Sequence, residues 1–280
     1  MEDFKAYEPT KEEEKIAQDT LERYSGSPCQ DYQPYLLLTN FPKYVNYFSE
    51  SRGVPVIEGS MFSVAHSPEE KVSILDFKIG SPAAALVVDL VSFLPVKAAL
   101  MLGMCGGLRR QYQVGDYFLP VASIRAEGTS DFYFHPEVPA LANFLVQKAV
   151  TNVLERKKIH YHIGITHTTN KRFWEFNNEF KQKLKITRPQ AIEMECATLF
   201  TASYYHKLPL GALLLISDLP LARDGIKTKA SSENLFARYT PEHVETGVEV
   251  AKELDEAFKH QAKGVYRGFR RRFEKEEHHN

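Results

Sequence analysis

Apolar and polar positions divide the chain into short blocks with clear stops. Thr10 stands three residues before Glu13, ahead of a charged, amphipathic stretch. This capping-box spacing predicts a helix to about Tyr24, stopped by Ser25-Gly26-Ser27-Pro28. The apolar run Tyr35 to Thr39 predicts a buried strand, and Met61–His66 and Val72–Ile79 predict two more. Gly80-Ser81-Pro82 reads as a strand-to-helix junction, with Ser81 as the cap and Pro82 at the first helical position. From Ala83 to Phe93 the chain is apolar nearly all round, the mark of a buried helix. Pro95 ends it, and Val96 to Leu102 is another apolar strand. Strand, buried helix and strand in about 30 residues form a βαβ unit, hence an α/β fold with some parallel sheet.

Further strands are predicted at Tyr117–Ala126, His160–His167 and Leu210–Ser217, the last being the most apolar. Helical spacing marks Pro139–Arg156 and Glu175–Lys185. Ala191 to Met194 reads as a short strand running into a helix through Tyr204. Thr240-Pro241 is predicted to open a final helix, with Val244, Gly247, Val248, Ala251, Leu254 and Phe258 on one stripe. No repeat or linker interrupts this pattern. The expected organisation is one α/β domain over residues 1–262, a three-layer α/β/α sandwich with a central mixed, twisted sheet. A charged C-terminal tail over 263–280 follows.

Composition narrows the function. The 280 residues carry 35 Lys and Arg against 36 Asp and Glu. This balance argues against nucleic acid or an anionic membrane surface as partner, since both need a basic face. The apolar region Ala83–Met104 is broken by Asp89, Pro95 and Lys97, so no membrane span is expected. Met1-Glu2-Asp3-Phe4-Lys5 lacks a signal-peptide pattern, and three widely spaced cysteines make no disulfide framework. A reducing cytoplasm is therefore expected. No cofactor is implied. His160 and His162 would share a strand face, but no Cys or carboxylate cluster completes a ligand set in the sequence, so no metal is expected.

Three clusters carry candidate chemistry. Gly103-Met104-Cys105-Gly106-Gly107 follows a predicted strand, where glycine opens backbone amides to a ligand; the alternative is a plain tight turn. Glu193-Met194-Glu195 sits where a strand turns into a helix. A carboxylate there can accept hydrogen bonds from vicinal sugar hydroxyls, or simply favour the helix dipole. Ser217-Asp218 ends the most apolar strand, a position that suits a general acid as well as a turn former.

In this order and spacing the clusters resemble the nucleoside phosphorylase/nucleosidase family, from about Leu21 to Leu254. Leu36-Leu37-Leu38-Thr39-Asn40-Phe41, Val114-Gly115-Asp116-Tyr117, Glu193-Met194-Glu195-x-Ala197-Thr198 and Ser217-Asp218-x-Pro220 carry much of the resemblance. Within the family the match is closest to the AMP-cleaving branch. The resemblance implies that Asp218 protonates N7 of the leaving purine. It implies that Glu195, with Met194 and Glu193, grips the ribose, and that Cys105, Gly106, Gly107 and Ser217 line the pocket. It also implies a homo-oligomer, a hexamer or another dimer-based assembly. Longer members carry an N-terminal regulatory domain, which is not expected within these 280 residues.

Departures from the family pattern refine the expectation. Phosphorylases place a serine where Met104 stands, and methionine cannot donate a hydrogen bond to phosphate. Hydrolysis by water is therefore expected, with AMP giving adenine and ribose 5-phosphate. Arg172, Phe173 and Trp174 fall at the base-stacking segment: Trp174 suits a purine face or a core, and Arg172 suits a 5′-phosphate. Arg223, Lys227 and Lys229 are further candidate cations, and Phe132–His135 is a candidate interface loop. The alternatives are a nucleosidase or phosphorylase for an unphosphorylated purine nucleoside, or a silent nucleotide-binding regulator.

Overall fold

The computed structural model describes residues 9–223, 225, 226 and 228–261. Lys227, the first residues from Met1 to Lys5 and the tail over 263–280 therefore lie outside the described residues. The helices are α1 (Lys11–Ser25), α2 (Pro42–Arg52), α3 (Ser81–Val91), α4 (Phe144–Lys157), α5 (Asn178–Thr187), α6 (Cys196–Tyr205) and α7 (Lys229–Gln261). The strands are β1 (Tyr35–Thr39), β2 (Ile57–Glu58), β3 (Ser63–Ser67), β4 (Val72–Asp76), β5 (Ala98–Gly107), β6 (Tyr117–Ala126), β7 (Ala140–Leu141), β8 (Tyr161–Thr169), β9 (Ala191–Glu193) and β10 (Leu210–Asp218).

One mixed sheet runs β10-β6-β8-β9-β5-β1-β4-β3-β2, with β7 on β6. Because β10 also pairs with β5, the strands β5, β9, β8, β6 and β10 close into a ring, while β1 to β4 extend it as an open sheet. Alternation along β1 feeds two cores. Leu36 and Leu38 join Leu21 of α1, Val87 and Val88 of α3 and Phe200 of α6 on one face. Tyr35 and Leu37 join Phe48 of α2, Val150 of α4 and Val248 of α7 on the other. This is the three-layer α/β/α arrangement that the hydrophobic pattern predicts. The β4–α3–β5 crossover puts β4 and β5 on either side of β1, all parallel.

Several boundaries moved, each for a physical reason. The capping box at Thr10 and Glu13 forms as expected. Ser81 does not cap α3; Gly80 is the cap at φ 98°, a left-handed backbone that glycine allows, and Ser81 Oγ donates to the Met194 carbonyl at 2.7 Å. The helix expected from Pro139 starts at Phe144, because Ala140–Leu141 pairs with β6 and Asn143 caps the first turn. α7 begins at Lys229, not at Thr240, and carries Pro241 inside it. Leu235, Phe236 and Tyr239 of that added stretch pack with Phe41 and Tyr44 in the second core, and this burial carries the helix across a proline that removes one backbone bond. The glycine cluster is not a loop. β5 continues through Gly107, paired with β10 and β9.

Candidate active site

Gly106 of β5 is the hub. It pairs with Ile192 of β9 on one side and Asp218 of β10 on the other. The end of β9, leading to Glu195, and the end of β10, at Asp218, therefore flank one residue of the central strand. Thr39, opposite Leu102, brings the end of β1 to the same region.

Glu195 is buried, 3% exposed. Its Oε1 accepts the Gly80 N–H at 2.8 Å, and the Asn40 side chain also donates to the carboxylate. Burial, reinforced by the neighbouring Glu193, pushes its carboxyl from 4.5 up to about 8; the donors from Gly80 and Asn40 pull the other way without prevailing. Neither Asn40 nor Gly80 was assigned a role from sequence. Asn40 lies inside a motif that matches the family, which is the signal that could have found it. Asn40 Oδ1 and Thr39 Oγ1 are buried without hydrogen-bond partners. Such groups cost about 1–3 kcal/mol each until a ligand or water meets them.

Glu193 is engaged by protein. Its Oε2 accepts the N–H groups of Glu195 (2.7 Å) and Cys196 (2.6 Å), and its Oε1 accepts the Thr168 hydroxyl. A carboxylate at the start of α6 also meets the positive end of the helix dipole. It fixes the backbone that presents Met194 and Glu195. Met194 is half-buried, and its carbonyl is held by Ser81.

Asp218 is half-buried at a register shift between Ile216 and Asp218, and such an irregularity re-aims a side chain. The Ser217 hydroxyl reaches Asp218 Oδ1 at 2.6 Å and the Cys105 carbonyl at 3.3 Å. Gly106 and Gly107 are glycines because the ring interior is tight. A Cβ at Gly106 would stand 3.0 Å from Pro220 and 3.2 Å from Ile192; at Gly107 it would stand 2.9 Å from Leu219.

The segment after β8 divides. Trp174 is 4% exposed and packs with Phe180, Leu108, Leu184 and Ile192, the core surroundings weighed for it in the sequence. Phe173 is 79% exposed. Arg172 is half exposed and pairs with the buried Glu175 at 3.0 Å. Arg223 and Lys229 are both exposed. Phe132 is 91% exposed, and its loop is clamped by the buried Arg125, which donates to the carbonyls of Phe134, His135 and Val138.

Residues 25–254 match the family model described as the phosphorylase superfamily. The chain belongs to the phosphorylase superfamily. It is similar to AMP nucleosidase of Escherichia coli (strain K12), 27% identical over 273 residues that make up 81% of this chain and 56% of that relative. The chain thus spans about half the length of that relative. The crystal structure of AMP nucleosidase from Bacteroides thetaiotaomicron VPI-5482 superposes with a TM-score of 0.78 at 35% identity, covering 88% of this chain and 99% of that one. Uridine phosphorylase of Thermococcus kodakarensis is 28% identical over 157 residues, 52% of this chain and 57% of that relative. Among the described residues no helix is long and apolar enough to cross a membrane.

Proposed function

We propose that this superfamily member hydrolyses the N-glycosidic bond of AMP, releasing adenine and ribose 5-phosphate. The observation that carries the reading is that β9 and β10 pair with Gly106 from opposite sides, with Asp218 at the end of β10 and Glu195 two residues beyond the end of β9. Glu195, held by Gly80 and Asn40, accepts the ribose 2′- and 3′-hydroxyls, with Met194 against the sugar. As the bond between the anomeric carbon and N9 breaks, its electron pair moves into the purine, and Asp218 delivers a proton to N7. Without that proton the leaving group is an anion, and general acid help is typically worth about 10²–10⁴-fold. The two ribose hydroxyls add donors that favour the ionised form of Glu195, so its proton passes to solvent on binding, and the carboxylate then stabilises the cationic sugar. Water then bonds to the anomeric carbon and its proton passes to solvent, from which Asp218 is reprotonated. Water rather than phosphate is the nucleophile because β5 offers Met104 where a phosphate donor is needed.

Arg172 is the cation proposed for the 5′-phosphate. Its existing pair with Glu175 favours a second reading, cleavage of an unphosphorylated purine nucleoside, because the phosphate must compete with that carboxylate. The test is purified protein with AMP in phosphate-free buffer, followed by chromatography. Adenine release supports hydrolysis. No release, or release only on adding phosphate, refutes it.

We also propose self-association through an apolar patch on the ring. Leu141 and Ile165 both pair with Ala122, and Ile163 lies on the same face; all three are exposed. Light scattering on Ile163→Asp is expected to show a smaller species than wild type, and an unchanged mass counts against the patch.

A further inference from the structure

The turn ahead of β6 and the start of β8 bring together side chains far apart in sequence. His160, His162 and Asp116 have ligand-type atoms all within 4.8 Å of one another. The sequence offered the two histidines without a carboxylate; the parallel pairing of β6 with β8, Tyr117 opposite Tyr161, supplies it. We propose that Asp116, His160 and His162 bind a divalent transition metal such as zinc.

The donor set favours that class. Two imidazoles and one carboxylate suit zinc and its neighbours in the transition series, whereas magnesium and calcium take oxygen ligands. Zinc with bonds of about 2.0–2.1 Å in tetrahedral geometry holds its ligand atoms about 3.3 Å apart. His162 Nε2 and Asp116 Oδ2 are now 2.8 Å apart in a hydrogen bond, so they open slightly around the ion. His160 is exposed and packs edge-on against the His162 ring with centroids 4.7 Å apart, and water completes the coordination.

The support around the ligands is already built. Tyr112 stacks on the His162 ring with centroids 4.1 Å apart, which fixes its plane. The Gln113 N–H donates to Asp116 Oδ2 at 2.9 Å, orienting the carboxylate. The Asp116 carbonyl accepts the Ile216 N–H at 2.9 Å, so the ion's anchor is bonded to β10 two residues before Asp218.

The experiment is zinc titration of the full, chelator-treated chain by calorimetry. His278 and His279 in the tail are a rival zinc ligand pair, so a His278→Ala/His279→Ala variant serves as control. One zinc per chain is expected in wild type and in the control. Asp116→Asn, which keeps an oxygen for the Gln113 N–H, and His160→Ala, at an exposed position, are each expected to weaken it by at least about tenfold. No zinc binding by wild type overturns the proposal. So does affinity that survives His160→Ala and Asp116→Asn undiminished, or that disappears with the tail histidines alone.

Discussion

Replacing Glu195 with glutamine isolates the tension at the centre of the candidate site. The wild-type carboxyl is raised from 4.5 to about 8, chiefly by burial and then by Glu193. A folded chain therefore holds a proton there that the unfolded chain releases between those values. The sign follows from linkage: stability falls as pH rises through that window, with the cost absent below 4.5 and complete above about 8. At about 1.4 kcal/mol per pH unit, the window amounts to about 5 kcal/mol. Glutamine has the same shape and is neutral at every pH. Its carbonyl still accepts the Gly80 N–H, and its amide can donate to the unpartnered Asn40 Oδ1. Thermal melts of both proteins at pH 5 and pH 9 read the effect. The stability of Glu195→Gln relative to wild type is expected to rise by several kcal/mol between the two, a relative midpoint shift of roughly 10 °C or more for a chain of this size. Turnover is expected to be lost at pH 9, where the wild-type carboxyl is ionised, because an amide grips ribose hydroxyls less well than a carboxylate in the transition state. A stability difference that does not change with pH would mean that Glu195 is not the buried, proton-holding group described here.

Other perturbations separate the remaining roles. Asp218→Asn is expected to lower turnover of AMP by about 10²–10⁴-fold with nucleotide binding retained, as read by steady-state kinetics and calorimetry; near-wild-type turnover removes it as the acid. Arg172→Ala is expected to raise KM for AMP by about 10–100-fold and leave adenosine unaffected, the worth of a charge-assisted bond; equal effects on both substrates remove the phosphate role. Trp174→Ala is expected to cost about 3–5 kcal/mol in a melt through the lost cluster with Phe180 and Leu184, as for other buried aromatics. A large KM change with little loss of stability would restore Trp174 to the base site.

Much of the fold is legible because its signals are local. The capping box at Thr10, the five-residue run of β1 and the nearly all-apolar α3 depend on near neighbours, and they form close to where the pattern places them. Where long-range packing competes, the pattern misplaces elements. Phe236 against Phe41 carries α7 upstream of Pro241, and pairing with β6 takes Ala140–Leu141 out of α4. The candidate site divides the same way. Glu193, Met194, Glu195 and Asp218 stand out in sequence as carboxylates and a thioether at strand ends.

The sequence by itself determined the layering, the parallel core and the residue types at the ends of β9 and β10. Those follow from hydrophobic periodicity and turn chemistry, which act over a few residues. Only the tertiary structure decided that β5 runs through the glycines and that β10 closes a ring. Only it decided that Glu193 accepts the N–H groups of Glu195 and Cys196 while Glu195 stays buried against Gly80 and Asn40, and that Asp116 joins two histidines some 45 residues further on. Each of these is a contact between strand ends distant along the chain. Register and closure of the sheet set such contacts, and no local pattern encodes them.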